Sequence, residues 1–189
     1  MKIGLFFGSF NPVHTGHMII ANHIAHWTDL DQVWLVVSPQ NPFKERSNLA
    51  HDFDRLHLVH LAIGDQDKLR ASDIEFGLPK PSYTVDTLAY LKDKFPTHTF
   101  SLIMGGDNLA NLHKWKNYEM ILRNHDILVY KRPNYDLGQL RHEARVTVVE
   151  APLMEISSSF IRESIRQKKS IRYLVPDEVW KYLEANPIY

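Results

Sequence analysis

The sequence predicts an α/β protein built on a mainly parallel β-sheet with helices on both of its faces. Short apolar runs that end at glycine or at Ser-Pro are typical of buried strands. Segments with apolar residues at helical spacing separate these runs, and this alternation is typical of parallel sheets. The length of 189 residues and the 44% hydrophobic content suit a single domain spanning residues 1–189.

The N-terminal part of the chain predicts a β-α-β unit. The apolar runs 3–7 and 33–37 are the two predicted strands. Between them, Ile20, Ile24 and Trp27 recur at helical spacing, so the intervening segment is predicted to be a helix that packs on the sheet.

The rest of the chain repeats the alternation of helix and strand. Two helices are predicted, over 53–63 and 85–95. Four strands are predicted, over 70–74, 100–104, 127–130 and 146–149. Two more helices follow, one starting near Ser157 and one carrying Val175, Val179 and Leu183. This order predicts a Rossmann-like, doubly wound sheet, in which ligands bind beyond the carboxyl ends of the strands.

The composition excludes several functional classes. Lys plus Arg and Asp plus Glu both number 22, so no general attraction to nucleic acid or to an anionic membrane is expected, and any anion site must be local. The absence of cysteine excludes disulfides, thiolate nucleophiles and cysteine metal sites. No apolar stretch approaches the roughly 18 residues of a membrane span, and no signal peptide is evident, so we expect a soluble, cytoplasmic protein.

The segment from Gly8 to His17, GSFNPVHTGH, lies where the first strand is expected to turn into the first helix. Gly8 allows the backbone to approach a ligand closely. A helix N-terminus at such a turn presents unpaired N–H groups and the positive end of the helix dipole, which suit phosphate. His14 and His17 are three residues apart, so both imidazoles can project to the same side of the first turn. The segment therefore predicts an anion site.

A second anion site is predicted from the segment ISSSFIR, which follows a predicted strand and opens a helix. Ser157, Ser158 and Ser159 are good N-caps, and their hydroxyls add to the N–H groups of the helix start. Arg162 lies one turn further on, so its guanidinium can reach the same anion. The alternative interpretation, a capped helix with a solvated arginine, loses weight when both segments are considered together.

Both segments resemble the nucleotidyltransferase superfamily, whose members transfer a nucleotide monophosphate group onto a phosphate. The first is similar to the signature Gly-x-Phe-x-Pro-x-His-x-Gly-His, and the second to Ile-Ser-Ser-Thr-x-Ile-Arg, with Ser159 in place of the threonine. The resemblance implies that His14, His17 and Arg162 are catalytic. It also implies an ATP site formed by Gly8, Ser9, Phe10, His14, His17, Gly105, Asp107, Ser157, Ser158, Ser159 and Arg162.

A third segment, PSYTVDTL at 81–88, is similar to the Pro-Ser-Tyr-Thr-x-Asp-Thr motif of bacterial nicotinate-nucleotide adenylyltransferases. Thr84 is a reasonable N-cap for the helix that opens here, and the N–H groups beside it suit a pyridine carboxylate. The resemblance implies that Tyr83 and Thr84 bind the second substrate and that Trp115 is the aromatic platform for its pyridine ring.

Three basic residues in loops are further candidates. Lys44 follows the second predicted strand, where this family often has a basic residue, and is a candidate for binding substrate phosphate. Arg46 is a weaker candidate. Arg132 also matches a family position, and its role stays open. The resemblance covers nearly the whole chain, from Lys2 to about Leu183.

The resemblance implies adenylyl transfer from ATP to nicotinate mononucleotide, which gives nicotinate adenine dinucleotide (deamido-NAD) and pyrophosphate in NAD biosynthesis. The expected partners are these small molecules, with Mg²⁺ arriving with ATP and no metal held by the protein itself. No nucleic acid or membrane partner is expected, and an oligomer is left open.

Three other functions remain compatible with the motifs. Pantetheine-phosphate adenylyltransferases share the fold and the histidine motif, but they are usually shorter and typically read Thr-x-Gly-His, where this chain has His14. An adenylyltransferase that prefers nicotinamide mononucleotide differs only in accepting a carboxamide for a carboxylate. The alternative from another class is a non-catalytic ATP sensor, which would not need His14, His17 and Arg162 together.

Overall fold

The computed structural model describes residues 1–39, 49–131, 137–152 and 154–189. Within these ranges, one sheet of six strands forms the centre of the molecule. The strands are β1 (Lys2–Gly8), β2 (Gln32–Val37), β3 (Leu69–Ser72), β4 (Thr99–Gly105), β5 (Ile127–Tyr130) and β6 (Val146–Val149). Their order is β3-β2-β1-β4-β5-β6, and every neighbouring pair is parallel. The predicted doubly wound, Rossmann-like α/β fold is confirmed.

Helices connect the strands. They are α1 (Thr15–Trp27), α2 (Asp52–Ile63), α3 (Thr84–Lys94), α4 (Gly106–Ala110), α5 (Tyr118–Asn124), α6 (Ser158–Arg166) and α7 (Asp177–Ala185). Short 3-10 helices span Leu112–Lys114 and Gln139–His142. Because successive strands are parallel, each connection must return over a face of the sheet, and the helices supply these crossovers.

Two hydrophobic cores lie on opposite faces of the sheet. Side chains alternate along each strand, so in β2 Val33, Leu35 and Val37 enter one core and Trp34 and Val36 the other. The first core packs against α1, α2, α6 and α7, and the second against α3, α4 and α5. The four central strands β1, β2, β4 and β5 are largely buried on both sides, which explains why they read as apolar runs.

The strand order reverses at the middle of the sheet. From β1 the chain moves outward to β2 and β3, then returns to pair β4 with the other side of β1. The first residues after β1 and β4 therefore diverge to opposite sides and leave a crevice between them. In sheets of this kind the crevice beyond the carboxyl ends at the reversal is the usual ligand site.

Three details of the predicted elements are wrong. Trp27 does not face the sheet: its side chain is 71% exposed and stacks on His23 with ring centroids 4.9 Å apart. Val175 is buried but precedes α7, whose N-cap is Pro176. Helices α4 and α5 were not predicted, since they span only five and seven residues, too few for a periodic apolar pattern to stand out.

In the part of the chain that the structure describes, no helix is long and apolar enough to cross a membrane.

Candidate active site

A cleft of about 550 Å³ opens at the predicted place, the carboxyl edge of the sheet where the strand order reverses. The ends of β1 and β4 form its floor, and the N-termini of α1, α3 and α6 converge on it. The predicted residues that line it are Gly8, Ser9, Phe10, His14, His17, Tyr83, Thr84, Asp107, Trp115, Ser157, Ser158, Ser159 and Arg162. The structure therefore brings the three sequence segments into one site.

His14 and His17 form a stacked pair at the start of α1. Their ring centroids are 3.6 Å apart and the ring planes differ by 24°. His14 is the N-cap residue, in extended conformation, and His17 is the third residue of the helix. The spacing of three residues thus places both rings on one side of the first turn, as predicted.

A reciprocal capping arrangement holds the two rings. The backbone N–H of His17 donates to Nδ1 of His14 over 3.4 Å, and the N–H of His14 donates to Nδ1 of His17 over 3.2 Å. A neutral imidazole that accepts at Nδ1 carries its proton at Nε2. We therefore assign the Nε2–H tautomer to both residues, so each ring presents a donor on the side away from the helix backbone.

Gly16 leaves room for this stack. A Cβ atom at Gly16 would lie 3.2 Å from both Cε1 and Nδ1 of His14, closer than ordinary van der Waals contact. Any side chain here would press on the first imidazole of the pair. The glycine between the two histidines is therefore explained by the packing of His14.

The structure shows a packing role for Gly8 that was not predicted. A Cβ atom at Gly8 would lie 2.8 Å from Cζ of Phe10, so the glycine makes room for an aromatic ring as well as lining the cleft. Phe10 has a positive φ of 44°, and its buried ring packs edge-on against His17, with centroids 5.0 Å apart. The ring of Phe10 therefore helps to hold the imidazole of His17 in place.

Helix α6 docks directly on the loop that follows β1. The Ser158 hydroxyl donates to the carbonyl of Pro12 over 2.9 Å, and Nη1 of Arg162 donates to the carbonyl of Asn11 over 2.8 Å. These contacts join residues about 150 positions apart in the chain. They fix the two helix N-termini relative to each other at one cleft.

Arg162 retains donors toward the cleft. Nη2 donates to the Ser159 hydroxyl over 3.3 Å, and Nε is buried without a partner among the described residues. Ser157 is the N-cap of α6, and its hydroxyl accepts from the N–H of Phe160 over 3.2 Å. A buried guanidinium N–H that lacks an acceptor beside an open helix N-terminus suits an anion.

The start of α3 forms the opposite wall. Tyr83, not Thr84, is the N-cap, and no side chain caps this helix, so the predicted capping role of Thr84 is wrong. Because Thr84 is the first helical residue, its hydroxyl does not occupy the capping position. Trp115 is half-buried against the second core and lines the same part of the cleft.

One cation at this wall was not predicted. Lys116 lines the cleft, and its ammonium donates to the Asp86 carboxylate over 2.8 Å. The same ammonium lies 4.9 Å from the centroid of the Tyr83 ring. The contact holds Tyr83 at the mouth of the cleft.

The remaining predicted residues fall in three places. Asp107 lines the cleft in the first turn of α4. Gly105 is the buried N-cap of α4 and is not among the cleft-lining residues. The predictions for Lys44, Arg46 and Arg132 lie outside the described residues.

Arg55 is a further residue that sequence reasoning missed. Its side chain is fully buried, and Nη1 donates to the carbonyls of Ser9 over 2.5 Å and Ser38 over 2.9 Å. Nε donates to the carbonyl of Ala50 and Nη2 to the carboxylate of Asp52. Arg55 thereby ties the loops after β1 and β2 together under the cleft. A charged residue on the inward side of a predicted helix was the available signal.

Glu75 was also missed, and it lies in the wall of the cleft. Its side chain is 2% exposed, and its carboxylate accepts hydrogen bonds from Ser82 over 3.0 Å and Thr87 over 2.8 Å. Burial raises the pKa of this carboxyl, and hydrogen bonds from the hydroxyls of Thr87, Ser38 and Ser82 oppose that effect. Nothing in the sequence marks this residue.

Residues 1–39, 49–131, 137–152 and 154–189 contain no group of three or more His, Asp or Glu side chains that is arranged to hold a metal ion. A metal cage built from these protein groups alone is therefore not present in that part of the chain.

Comparison with known proteins assigns the chain to a family. The family model described as cytidylyltransferase-like matches residues 5–164. The chain belongs to this cytidylyltransferase-like family. The matched range begins within β1 and ends within α6, and so includes both histidines and Arg162.

Curated relatives of this cytidylyltransferase-like protein match along its whole length. A protein of Flavobacterium psychrophilum is 58% identical over 191 residues, covering 100% of this chain and 99% of the relative. A protein of Bacillus licheniformis is 34% identical over 188 residues, covering 100% of this chain and 98% of the relative. Both are named probable nicotinate-nucleotide adenylyltransferase. The family membership predicted from the motifs is confirmed.

Solved structures share the fold of this cytidylyltransferase-like protein. The structure of Plasmodium falciparum nicotinic acid mononucleotide adenylyltransferase complexed with NaAD has a TM-score of 0.83 at 19% identity, covering 97% of this chain and 95% of that chain. The same enzyme complexed with APC has a TM-score of 0.82. At this identity the likeness is one of fold.

Proposed function

We propose that this protein is a nicotinate-nucleotide adenylyltransferase, which transfers the adenylyl group of ATP to nicotinate mononucleotide and releases pyrophosphate. The observation that carries the proposal is the stacked pair of His14 and His17, held between two helix N-termini at the reversal of the strand order. The names of full-length relatives at up to 58% identity support the choice of substrate.

ATP is proposed to lie with its phosphates between the starts of α1 and α6. Each helix start offers backbone N–H groups and the positive end of a dipole. Arg162 adds a guanidinium whose buried Nε has no partner among the described residues. The ribose and base are proposed to lie along the end of β4 beside Asp107, which lines the same cleft.

The reaction needs no activated nucleophile from the protein. A phosphate oxygen of nicotinate mononucleotide is already anionic at neutral pH, and it attacks the α-phosphorus of ATP. The new oxygen–phosphorus bond forms as the bond between the α-phosphorus and the bridging oxygen breaks, and pyrophosphate leaves with that oxygen. Positioning and charge stabilisation are then the contributions left to the protein.

The proposed roles follow from the donors at the cleft. The Nε2–H group of His17 stabilises the α-phosphate and bridging oxygens, while His14 serves the neighbouring phosphates. Ser158, Ser159 and Arg162 hold the leaving pyrophosphate. Preorganised donors of this kind are effective because they need no reorientation as charge develops.

The acceptor is proposed to bind at the start of α3. The nicotinate carboxylate would accept from N–H groups beside Tyr83 and Thr84, where no side chain caps the helix. Trp115 offers a flat face for the electron-poor pyridine ring. A wall of backbone donors favours a carboxylate over a carboxamide, because the carboxylate only accepts hydrogen bonds.

Mg²⁺ is proposed to enter as part of the ATP substrate, coordinated by phosphate oxygens and water. The described residues form no metal cage, so a metal held by these side chains alone does not fit this site. This arrangement is the common one for Mg²⁺, which binds phosphates and keeps several of its waters.

Pyrophosphate release from ATP with three different acceptors tests the proposal. We expect release with nicotinate mononucleotide, weaker release with nicotinamide mononucleotide, and none with phosphopantetheine. Preferential release with phosphopantetheine would replace the proposed acceptor, and ATP binding without release in any of the three mixtures would favour a sensor.

A further inference from the structure

Glu75 is the buried ionisable group of the cleft wall that the reaction does not use. We propose that Glu75 is a positioning residue, whose carboxylate fixes the segment from Ser82 to Thr87 and thereby sets the affinity for the acceptor nucleotide. The inference rests on the proposed function, because the acceptor is the substrate that this segment would bind. It assigns a role to a residue outside the three motifs.

The first support is burial without a cationic partner. Glu75 is 2% exposed, and none of the ion pairs found among the described residues includes it. Its carboxylate is held by hydroxyl groups instead, with Ser82 donating to Oε2 over 3.0 Å and Thr87 donating to Oε1 over 2.8 Å. A buried carboxylate is retained at a cost in desolvation, so a neutral apolar residue would serve stability better.

The second support is the position of these two hydroxyl groups in the chain. Ser82 immediately precedes Tyr83, and Thr87 lies in the first turn of α3, so Glu75 holds both ends of the acceptor-binding turn. Thr87 also has a second contact, since its hydroxyl lies 3.3 Å from the carbonyl of Tyr83. The carboxylate therefore holds two side chains that flank the turn proposed to bind the nicotinate group.

The third support is a connection from Glu75 to the other side of the cleft. The hydroxyl of Ser38 also hydrogen-bonds to Glu75, and the carbonyl of Ser38 accepts from Arg55. Arg55 in turn holds the carbonyl of Ser9, in the loop that leads to His14. A continuous polar network thus joins the acceptor wall to the histidine loop.

A carboxylate suits this task better than an amide. It accepts at both oxygens and donates at neither, so the hydroxyls that face it must all act as donors. A glutamine would add an NH₂ group, which can donate to those hydroxyls and permit other arrangements. With both oxygens accepting, the carboxylate specifies one direction for the hydrogen bonds that fix the acceptor-binding turn.

Kinetics of Glu75→Ala and Glu75→Gln test the role, with Glu178→Gln as the matched control. Glu178 is an exposed residue of α7, where its side chain pairs with Lys181. Hydrogen bonds to a charged group contribute about 1.5–3 kcal/mol each, so we expect Glu75→Ala to raise the KM for the acceptor by about tenfold or more. Glu75→Gln should raise it by a smaller factor, and Glu178→Gln should leave it unchanged.

The comparison of the two substrates separates positioning from a general loss of structure. The KM for ATP should change by less than about twofold in both Glu75 variants, because Arg55 still holds the carbonyls of Ser9 and Ser38 on the ATP side of the cleft. Equal changes in both KM values, or no change in either at an equal folded fraction, would overturn the inference. Circular dichroism and thermal unfolding of each variant supply the folded fraction.

The acceptor used by the wild-type protein distinguishes this inference from the proposed function. If the wild-type protein uses nicotinate mononucleotide and Glu75→Ala has an unchanged KM for it, the proposed function stands and the inference fails. If the wild-type protein uses only nicotinamide mononucleotide, the proposed function fails, and a raised KM of Glu75→Ala for that acceptor still supports the inference. Absence of activity with either acceptor would overturn both.

Discussion

The stacked pair of His14 and His17 shows how single residues make the anion site. Each ring accepts a backbone N–H at Nδ1, so one geometry fixes both the orientation and the tautomer of the two side chains. The ring of Phe10 packs against His17 and adds to this support. The Nε2–H groups become donors that are in place before substrate arrives, which is the condition for effective stabilisation of developing charge.

His17→Ala should lower kcat by about 100- to 1000-fold, because one preorganised donor contributes about 2.7–4 kcal/mol to transition-state stabilisation. Steady-state pyrophosphate release with ATP and nicotinate mononucleotide measures the change. His26→Ala is the matched control, since His26 is an exposed histidine of the same helix, α1. A near-normal kcat in His17→Ala would remove the catalytic assignment of this residue.

Glu75 gives the stability of the protein a defined pH dependence. Burial raises the pKa of its carboxyl above the ordinary value of 4.5. An acid whose pKa is raised by folding stabilises the folded state when it is protonated. This contribution is fully present below the pKa of the unfolded state, and it is lost as the pH rises through the pKa of the folded state. Replacement by glutamine removes the ionisation, so the unfolding free energy of Glu75→Gln relative to wild type should increase from pH 4 to pH 7. Urea unfolding of both proteins at several pH values measures this difference in unfolding free energy. A difference that stays constant or decreases from pH 4 to pH 7 would contradict the raised pKa of Glu75.

At the scale of elements, the two helix N-termini proposed to bind ATP, those of α1 and α6, differ in how they are built. The start of α1 is capped by its own histidines, whereas the start of α6 is capped by Ser157 and bound to the β1–α1 loop through Ser158 and Arg162. The first arrangement is local in sequence, and the second depends on contact between distant segments. Both leave N–H groups directed at the same cleft.

Gly16→Ala should impair activity without destabilising the protein. Alanine is better than glycine inside a helix by roughly 0.5–1 kcal/mol, but its Cβ would lie 3.2 Å from two atoms of the His14 ring. We expect kcat/KM to fall by about tenfold, as the stacked rings must shift, with an unchanged or higher Tm. Gly77→Ala is the control, because a Cβ at Gly77 would have no heavy atom within 4 Å. Equal kcat/KM values for Gly16→Ala and wild type would show that the glycine is not required for the stack.

Helices and strands with a clear pattern of apolar residues could be predicted from the sequence, and short elements without such a pattern could not. All six strands were predicted near their observed positions, and the four central ones read as apolar runs because they are largely buried on both faces. Helix α5 was missed because its seven residues are too few for the spacing of Tyr118, Ile121 and Leu122 to stand out as a periodic pattern. Trp27 was predicted to pack on the sheet, but it is exposed. Apolar spacing therefore identified the helix without showing which of its large side chains is buried.

The candidate site could be predicted where its chemistry is local. His14, His17 and the serines of α6 lie in short segments that carry their own turn and capping signals. Arg55 and Glu75 could not be assigned, since their roles depend on partners in other segments. The contact of Arg55 with Ser9, for example, joins residues 46 positions apart.

At the scale of the whole molecule, a chain with no net charge builds a local site for anions. Two helix N-termini and Arg162 line one cleft, and Lys116 adds a cation at its mouth. Beneath this surface, Arg55 and Glu75 connect the loops that follow β1, β2 and β3. The sheet therefore supplies the position of the cleft, and the buried polar network fixes the loops that form it.

Arg55→Met should destabilise the whole molecule. It would leave the partly buried carbonyls of Ser9, Ser38 and Ala50 without this donor, and an acceptor that loses its partner costs about 1–3 kcal/mol when it is shielded from water. We therefore expect the free energy of unfolding to fall by at least about 3 kcal/mol in urea unfolding. Arg123→Met, at an exposed position of α5, is the control. Equal midpoints for the two variants would contradict the role given to Arg55.

The fate of the α-phosphate of ATP tests the central claim most directly. Under single-turnover conditions with ATP labelled at that phosphorus and with nicotinate mononucleotide, the account predicts that the label moves into nicotinate adenine dinucleotide as unlabelled pyrophosphate is released in equal amount. Label that remains in ATP, or that appears in AMP without a dinucleotide, would contradict it.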